Sequence, residues 1–180
     1  MQKKPLVSVI MNCLNCEQYL REAIDSVYAQ TYDNWEIIFW DNGSLDRSEE
    51  IAKSYDSKLK YFKSEVTSIL GAARVLAVEQ AKGEYFAFLD CDDMWFKDKL
   101  NKQMKIFSED GENLGLVYGK CEVLYENSKE IVINRQTLPE GIVYGDLAKE
   151  NFIPFVSAVI KSEVFHASGG FPISIKHSTD

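Results

Sequence analysis

Asp90, Asp92 and Asp93 place three carboxylates within four positions, directly after the apolar run Tyr85-Phe86-Ala87-Phe88-Leu89. A run of that length and composition reads as a buried strand, which puts the acids at its C-terminal mouth. Open α/β sheets bind ligands at that edge. Carboxylates this close repel one another and raise their own pKa values. A divalent cation removes the repulsion, and hard cations such as Mg²⁺ or Mn²⁺ prefer oxygen ligands. Held by only one or two acids, the ion keeps open positions for substrate phosphates. Asp-x-Asp by itself also describes a solvated turn, so the elements that deliver it have to be read.

Leu6 to Met11 is a buried-type strand, and Leu20, Ala23, Ile24 and Val27 recur at helical spacing between Glu17 and Gln30. Trp35 to Trp40 is a second strand, closed by Asp41-Asn42-Gly43-Ser44, and Asp46 or Ser48 can cap the helix that carries Ile51, Ala52 and Tyr55. Leu59 to Phe62 is a third strand, and a helix from Ala72 to Ala81 is stopped by Gly83 before the strand that delivers Asp90. This β-α-β-α-β-α-β order predicts a parallel sheet covered on both faces. The second half changes character. Lys97 to Phe107 is an amphipathic helix, and Leu114–Tyr118, Cys121–Tyr125 and Ile131–Ile133 are short strands suited to an antiparallel extension. A short helix at Tyr144–Lys149, a strand at Phe155–Ile160, a helical turn at Ser162–Ala167 and a Gly169–Pro172 loop follow. The sequence stops in a polar stretch with no closing element, which reads as a truncation.

A chain of 180 residues, 46% apolar and 27% charged, fits one globular domain with a real core. A net charge of −8 argues against nucleic acid and against an anionic membrane surface as partners. No long apolar span or signal segment is present, so a cytoplasmic protein is expected; peripheral membrane association could come only through residues outside this sequence. Cys13 and Cys16 form a C-x-x-C, the pattern of a redox pair or half a zinc site. Cys91 and Cys121 are far apart in sequence, and Asn12 stands where a thioredoxin-like motif carries an aromatic. Two reduced cysteines at a strand end are therefore expected, one of them packed.

With these elements in order, the chain resembles the family 2 glycosyltransferases of the GT-A fold. That fold is a Rossmann-like, mostly parallel α/β sheet flanked by helices, with a small antiparallel extension. The resemblance rests on Leu6–Asn15, on Trp35–Asp46 with its Asp41-Asn42-Gly43-Ser44-x-Asp46 loop, and on Gly71-Ala72-Ala73-Arg74. It continues through Ala81–Tyr85, Leu89-Asp90-Cys91-Asp92-Asp93-x-Trp95, Asn151–Pro154 and Gly169-Gly170-Phe171. It implies an inverting transfer of a sugar from a nucleotide diphosphate-sugar, a UDP-sugar first, to a hydroxyl acceptor such as a sugar or lipid-linked sugar. Surface polysaccharide or lipopolysaccharide synthesis at the inner face of the membrane is the implied setting. Residues 1–95 would form the nucleotide-sugar-binding half and residues 96–180 the start of an acceptor-side half.

A diphosphate leaving group needs positive charge as its bond breaks. The chain has neither a phosphate-cradling glycine loop nor net basic character. The resemblance makes Asp92 the direct ligand of Mn²⁺ or Mg²⁺, with Asp90 or Asp93 supporting it or contacting the ribose. Asn12, Asp41, Asn42 and Cys91 join Asp90 as donor-site residues at the strand mouths. Arg74 is a nucleotide or diphosphate contact, or an ordinary helix-surface arginine. An inverting displacement also needs a general base on the acceptor hydroxyl. The resemblance implies that this base is the second member of an acidic pair a short way beyond Gly169-Gly170-Phe171, and counting on from there lands on Asp180.

Three positions depart from the family pattern: Asn42 where an acid often reads the base, Val75 where an Asn is common, and Thr179 where an acid precedes the base. Trp40 and Trp95 flank the expected pocket, where core packing competes with stacking on a ligand. His166 and His177 lack partners at ligand spacing. Two rival readings stand: a nucleotide-sugar-binding module without transfer activity, and a Mg²⁺-dependent phosphatase with Asp90 as nucleophile. Met94 and the three preceding β-α units speak against the phosphatase.

Overall fold

The computed structural model describes residues 4–110, 112–123 and 138–172. Its elements run β1 (Val7–Cys13), α1 (Leu20–Tyr28), β2 (Trp35–Asp41), α2 (Ser48–Lys53), β3 (Leu59–Lys63), α3 (Leu70–Glu79) and β4 (Tyr85–Phe88). They continue with α4 (Lys99–Asp110), β5 (Leu116–Val117), α5 (Tyr144–Leu147), a 3₁₀ turn (Phe155–Ser157), β6 (Val159–Lys161) and α6 (Ser162–Ala167). The strands form one sheet in the order β3-β2-β1-β4-β6-β5. β1 to β4 pair in parallel, while β6 runs antiparallel to both β4 and β5. This is the expected parallel sheet with an antiparallel extension.

Period-two alternation splits the strand residues between two cores. Val7, Val9, Met11 and Cys13 of β1 face α1, α2 and α4, where Leu20, Ile24, Val27, Leu100, Met104 and Phe107 are buried. Ile10, Ile38, Phe86 and Phe88 face the other side, against Ala77 and Val78 of α3 and Phe165 of α6. Because both faces are covered, Val9–Met11 of β1 and Ile37–Trp40 of β2 read as unbroken apolar runs in the sequence.

The differences from expectation have local causes. α1 begins at Leu20 because the Cys16 and Glu17 N–H groups donate instead to Ser48 Oγ (3.1 Å) and Asp46 Oδ2 (2.9 Å). Arg47 occupies the cap of α2 without a capping hydrogen bond from its side chain, while Asp46 Oδ1 accepts the Ser48 N–H at 3.0 Å. Phe155–Ser157 coils into a 3₁₀ turn, with Ser157 N–H and Oγ both donating to Pro154 O, so β6 starts only at Val159. Residues 121–123 are not strand, and the rest of the two strands expected there lies outside the described residues. Among the described residues no helix is long and apolar enough to cross a membrane.

The N-terminal edge of the sheet is pinned by a buried polar knot. Ser8 Oγ donates to Glu36 Oε1 at 2.6 Å, the same oxygen accepts the Lys82 N–H at 3.0 Å, and Lys60 Nζ pairs with Glu36 Oε2. Burial pushes the Glu36 carboxyl up, but the Lys60, Ser8 and Lys82 hydrogen bonds outweigh it and hold it below the usual carboxylate range. Gly83 N–H donates to Ser8 Oγ at 2.8 Å, and a Cβ at this position would lie 2.5 Å from Ser8 N. Gly83 therefore serves close approach between chain segments rather than the helix stop read from the sequence. Gly83→Ala is expected to lower unfolding stability by about 1–3 kcal/mol or more through overpacking against backbone, read as a lower urea midpoint with an unchanged slope.

Candidate active site

The C-terminal mouths of β1, β2 and β4 meet at one edge, with Cys13 in register with Asp41 and the acidic turn directly after β4. The β2 loop is organised by Asp41, which is 0% exposed. Its Oδ1 accepts the N–H groups of Gly43 (3.1 Å) and Ser44 (2.7 Å), and its Oδ2 accepts the Tyr61 hydroxyl at 2.6 Å. Gly43 takes φ +95°, a left-handed conformation that lets the loop wrap its own carboxylate. Burial first, and then the Asp41 contact, push the Tyr61 hydroxyl far above its ordinary pKa, so it stays a donor.

This loop grips the β1–α1 loop through reciprocal bonds. Asn15 N–H donates to Ser44 Oγ (3.0 Å), and Leu45 N–H donates to Asn15 Oδ1 (2.8 Å). Arg47 N–H donates to Glu17 Oε2 at 2.9 Å. Asn42 turns the other way and spends its amide on Ser68: Oδ1 accepts Ser68 N–H (3.1 Å) and Oγ (3.0 Å), while Nδ2 donates to Ser68 O (2.7 Å). Asp41, Asn42 and the buried Cys91 thus have internal partners where the sequence suggested contacts to a nucleotide. Asn12 is different: its Nδ2, like Trp40 Nε1, is buried with no partner among the described residues.

The acidic turn is tight, with the Asp93 N–H donating to Asp90 O at 3.1 Å. Arg74 Nη2 donates to Asp90 Oδ1 at 3.3 Å, and its guanidinium lies 4.2 Å from the Phe155 ring centroid. Phe171 packs on the same aromatic cluster, 5.4 Å from Phe88 and 6.1 Å from Phe155. The Gly169–Phe171 landmark therefore reaches the acidic turn through Arg74. Asp92 is exposed. Burial and the charges of Asp92 and Asp90 push the Asp93 carboxyl up to about 6. Arg74 offsets charge at Asp90, and the negative charge on Asp92 and Asp93, offered by oxygen donors, fits a hard divalent cation. The three carboxylates do not converge within 4.8 Å of one another, so they form no closed cage. The donor set suits an ion with one or two protein ligands and open positions.

Trp95 is buried, with its N–H on Val156 O at 3.0 Å, so it packs rather than offering a ligand surface. Behind it the sequence reading missed Lys99, whose ammonium lies 4.0 Å from the Trp95 ring centroid and donates to Gln103 Oε1 at 2.9 Å. Burial pulls its pKa down to about 7. The i, i+4 spacing of Lys99 and Gln103 was visible; that no carboxylate among the described residues would pair with the lysine was not. Asp180 and His177 lie outside the described residues.

The cysteine expectation is corrected. Cys13 and Cys16 are joined as a disulfide with a Cα–Cα distance of 6.0 Å. The fold also brings Cys91 to them, with the three sulfurs within 4.8 Å of one another. Cys91 Sγ donates to Asn12 O at 3.3 Å, and burial, then the neighbouring aspartates, push its thiol far up.

The sequence profile of Glycosyl transferase family 2 matches residues 8–166. The chain is 33% identical over 156 residues to the UDP-Glc:alpha-D-GlcNAc-diphosphoundecaprenol beta-1,3-glucosyltransferase WfgD of Escherichia coli, covering 86% of this chain and 60% of WfgD. Its fold matches S. aureus TarS in complex with UDP-GlcNAc at TM-score 0.80 and 24% identity, over 97% of this chain and 50% of that one. It matches the mannosyltransferase PcManGT of Pyrobaculum calidifontis, in complex with GDP-Man and Mn²⁺, at TM-score 0.72 and 21% identity, over 97% of this chain and 49% of that one. The chain spans between 22% and 64% of the length of the named relatives it matches.

Tyr61→Phe leaves Asp41 Oδ2 buried without its donor. It should cost about 1–3 kcal/mol of stability, seen as a lower thermal midpoint, while the neighbouring Phe62→Leu on the other face should leave the Asp41 loop's amide-exchange protection intact.

Proposed function

Because the chain belongs to glycosyl transferase family 2, we propose that it binds a nucleotide diphosphate-sugar at the mouths of β1, β2 and β4 and serves an inverting, metal-dependent transfer to a hydroxyl acceptor. The observation that carries this reading is the acidic turn after β4, where exposed Asp92 stands beside an Asp90 held by Arg74. Residues 1–95 form the donor-binding half and residues 96–180 begin the acceptor-side half. UDP is the proposed nucleotide, supported by the UDP-Glc in the name of WfgD and the UDP-GlcNAc held by TarS. A lipid-diphosphate-linked sugar is the proposed acceptor, after the GlcNAc-diphosphoundecaprenol in the name of WfgD, and surface polysaccharide synthesis at the cytoplasmic side of the membrane is the proposed setting.

Each residue then has a task. Asp92 holds a divalent ion directly, with Asp90 or Asp93 in support; the Mn²⁺ of PcManGT supports the choice of ion. When bound, the ion supplies the positive charge that a departing nucleoside diphosphate requires. Arg74, fixed between Asp90 and Phe155, orients the turn and adds a second positive charge at the same edge. Asn12 Nδ2 is the donor aimed at the nucleotide, since no protein group uses it among the described residues. Asp41 and Asn42 act by holding the loops that frame the base, through their own backbone and Ser68. Asp180 takes the acceptor hydroxyl's proton, opposite the leaving group.

Three experiments test this. UDP with Mn²⁺ should raise the thermal midpoint more than GDP, dTDP or CDP with Mn²⁺, or UDP alone. Asp92→Asn should weaken Mn²⁺-dependent UDP binding by at least about tenfold, or 1.4 kcal/mol, without lowering the midpoint of the free protein; unaltered binding would remove Asp92 from the site. For the base, Asp180→Asn in a longer chain that continues past this sequence should abolish sugar transfer to the acceptor while sparing UDP binding, and a fully active variant would mean that another group takes the proton.

A further inference from the structure

The three sulfurs behind the strand mouths belong to no step of the proposed transfer. They lie on the α1 side of the sheet: Cys13 ends β1, Cys16 lies in the loop after it, and Cys91 follows β4. In the sequence only Cys13 and Cys16 stand at a spacing common to redox pairs and zinc ligands. Asn15, between them, has φ +57°, which folds the loop back so that both sulfurs face one point. The parallel pairing of β1 with β4 then delivers Cys91, 78 positions on from Cys13, to within 4.8 Å of both.

We propose that this cluster, when reduced, is a binding site for a soft divalent metal ion such as Zn²⁺ or Cd²⁺, separate from the carboxylate site. Three sulfurs on one tetrahedral ion at about 2.3 Å stand about 3.8 Å apart. Cys91 Sγ already lies within 4.8 Å of both bonded sulfurs, and once the bond is reduced a Cα–Cα distance of 6.0 Å leaves Cys13 and Cys16 room to separate to that spacing. Two hydroxyls serve as outer partners: Ser44 Oγ lies 3.6 Å from Cys13 Sγ, and Ser48 Oγ donates to Cys16 Sγ at 3.9 Å. Such contacts orient thiolate ligands. No carboxylate joins the group among the described residues, which disfavours the hard ions suited to Asp92. Cys16 is only half-buried, so an ion has an entry path and an open fourth position for water.

Occupancy follows reduction. A dithiol reductant transfers two electrons and two protons to the Cys13–Cys16 bond, giving two thiols and a cyclic disulfide of the reductant. The metal ion then displaces the three thiol protons, which pass to the buffer, and three sulfur–metal bonds form. The oxidised chain lacks the site, because the bonded pair offers no thiolate.

The test uses Cd²⁺ alone as probe. The chain is reduced with dithiothreitol, exchanged anaerobically into reductant-free buffer, and titrated while the ultraviolet sulfur-to-cadmium charge-transfer band is followed. The band should grow and saturate at a single cadmium per chain, and it should be absent from the oxidised chain. Cys91→Ser and Cys16→Ser should each lose that saturating band, whereas Cys121→Ser and Asp92→Asn should retain it. Should Cys91→Ser fail to fold, Cys16→Ser at its half-exposed position carries the test alone. No saturating band in the reduced chain, or a band unchanged in Cys16→Ser, overturns the proposal. The Asp92→Asn arm separates this outcome from that of the carboxylate site, because each site can fail without the other.

Discussion

The arrangement at the sheet's working edge depends on one buried carboxylate. Asp41 is fully enclosed, and a carboxylate in that position is costly unless its oxygens are bonded. The requirement is met by two loop N–H groups and the Tyr61 hydroxyl, which fixes the Gly43–Ser44 turn and ties β3 to it. From that turn, Ser44, Asp46 and Ser48 reach the loop after β1, and Asn42 reaches Ser68. A polar group that looks like a ligand contact in the sequence is therefore the internal anchor of three loops.

The two ends of the sheet divide stability from chemistry. At the N-terminal end Ser8, Glu36, Lys60 and Gly83 satisfy one another in a closed knot. At the C-terminal end the groups are left incomplete: Asn12 Nδ2 and Trp40 Nε1 lack partners among the described residues, and the Asp93 carboxyl is pushed up by burial and by its acidic neighbours. Buried donors without acceptors, and carboxylates without counter-charge, cost stability. Their concentration at one edge sets it apart from the closed knot at the other.

The second layer makes that edge rigid. Arg74 is held by an ion pair on one side and aromatic faces on the other, and the rings come from β4, the 3₁₀ turn, α6 and the loop at Phe171. Segments from the second half of the chain thereby fix the conformation of a turn in the first. On the opposite face Gln103 donates to Val117 O and Ser157 O and accepts from Lys99, which joins α4 to the antiparallel strands behind the same turn.

The sequence by itself determined the element order, the parallel sheet, the acidic turn at a strand mouth and, through the joint spacing of several motifs, the family. These are local properties: apolar period sets strand or helix, and order along the chain restricts topology. It also placed Asn12, Asp41, Asn42, Asp90, Cys91 and Asp92 at one edge, because each lies at or just after a strand end, while Arg74 was left between a nucleotide contact and a helix-surface residue. Only the tertiary structure decided what their side chains touch. Asp41 and Asn42 turned inward to their own loops, Arg74 became a clamp rather than a surface residue, and Phe155–Ser157 coiled because Pro154 caps it. Three sulfurs met although one of them is remote from the C-x-x-C. Hydrogen-bond partners and sulfur distances depend on which segments pack together across the sheet. A one-dimensional pattern constrains the packing face of a residue and leaves its partner across the sheet undetermined.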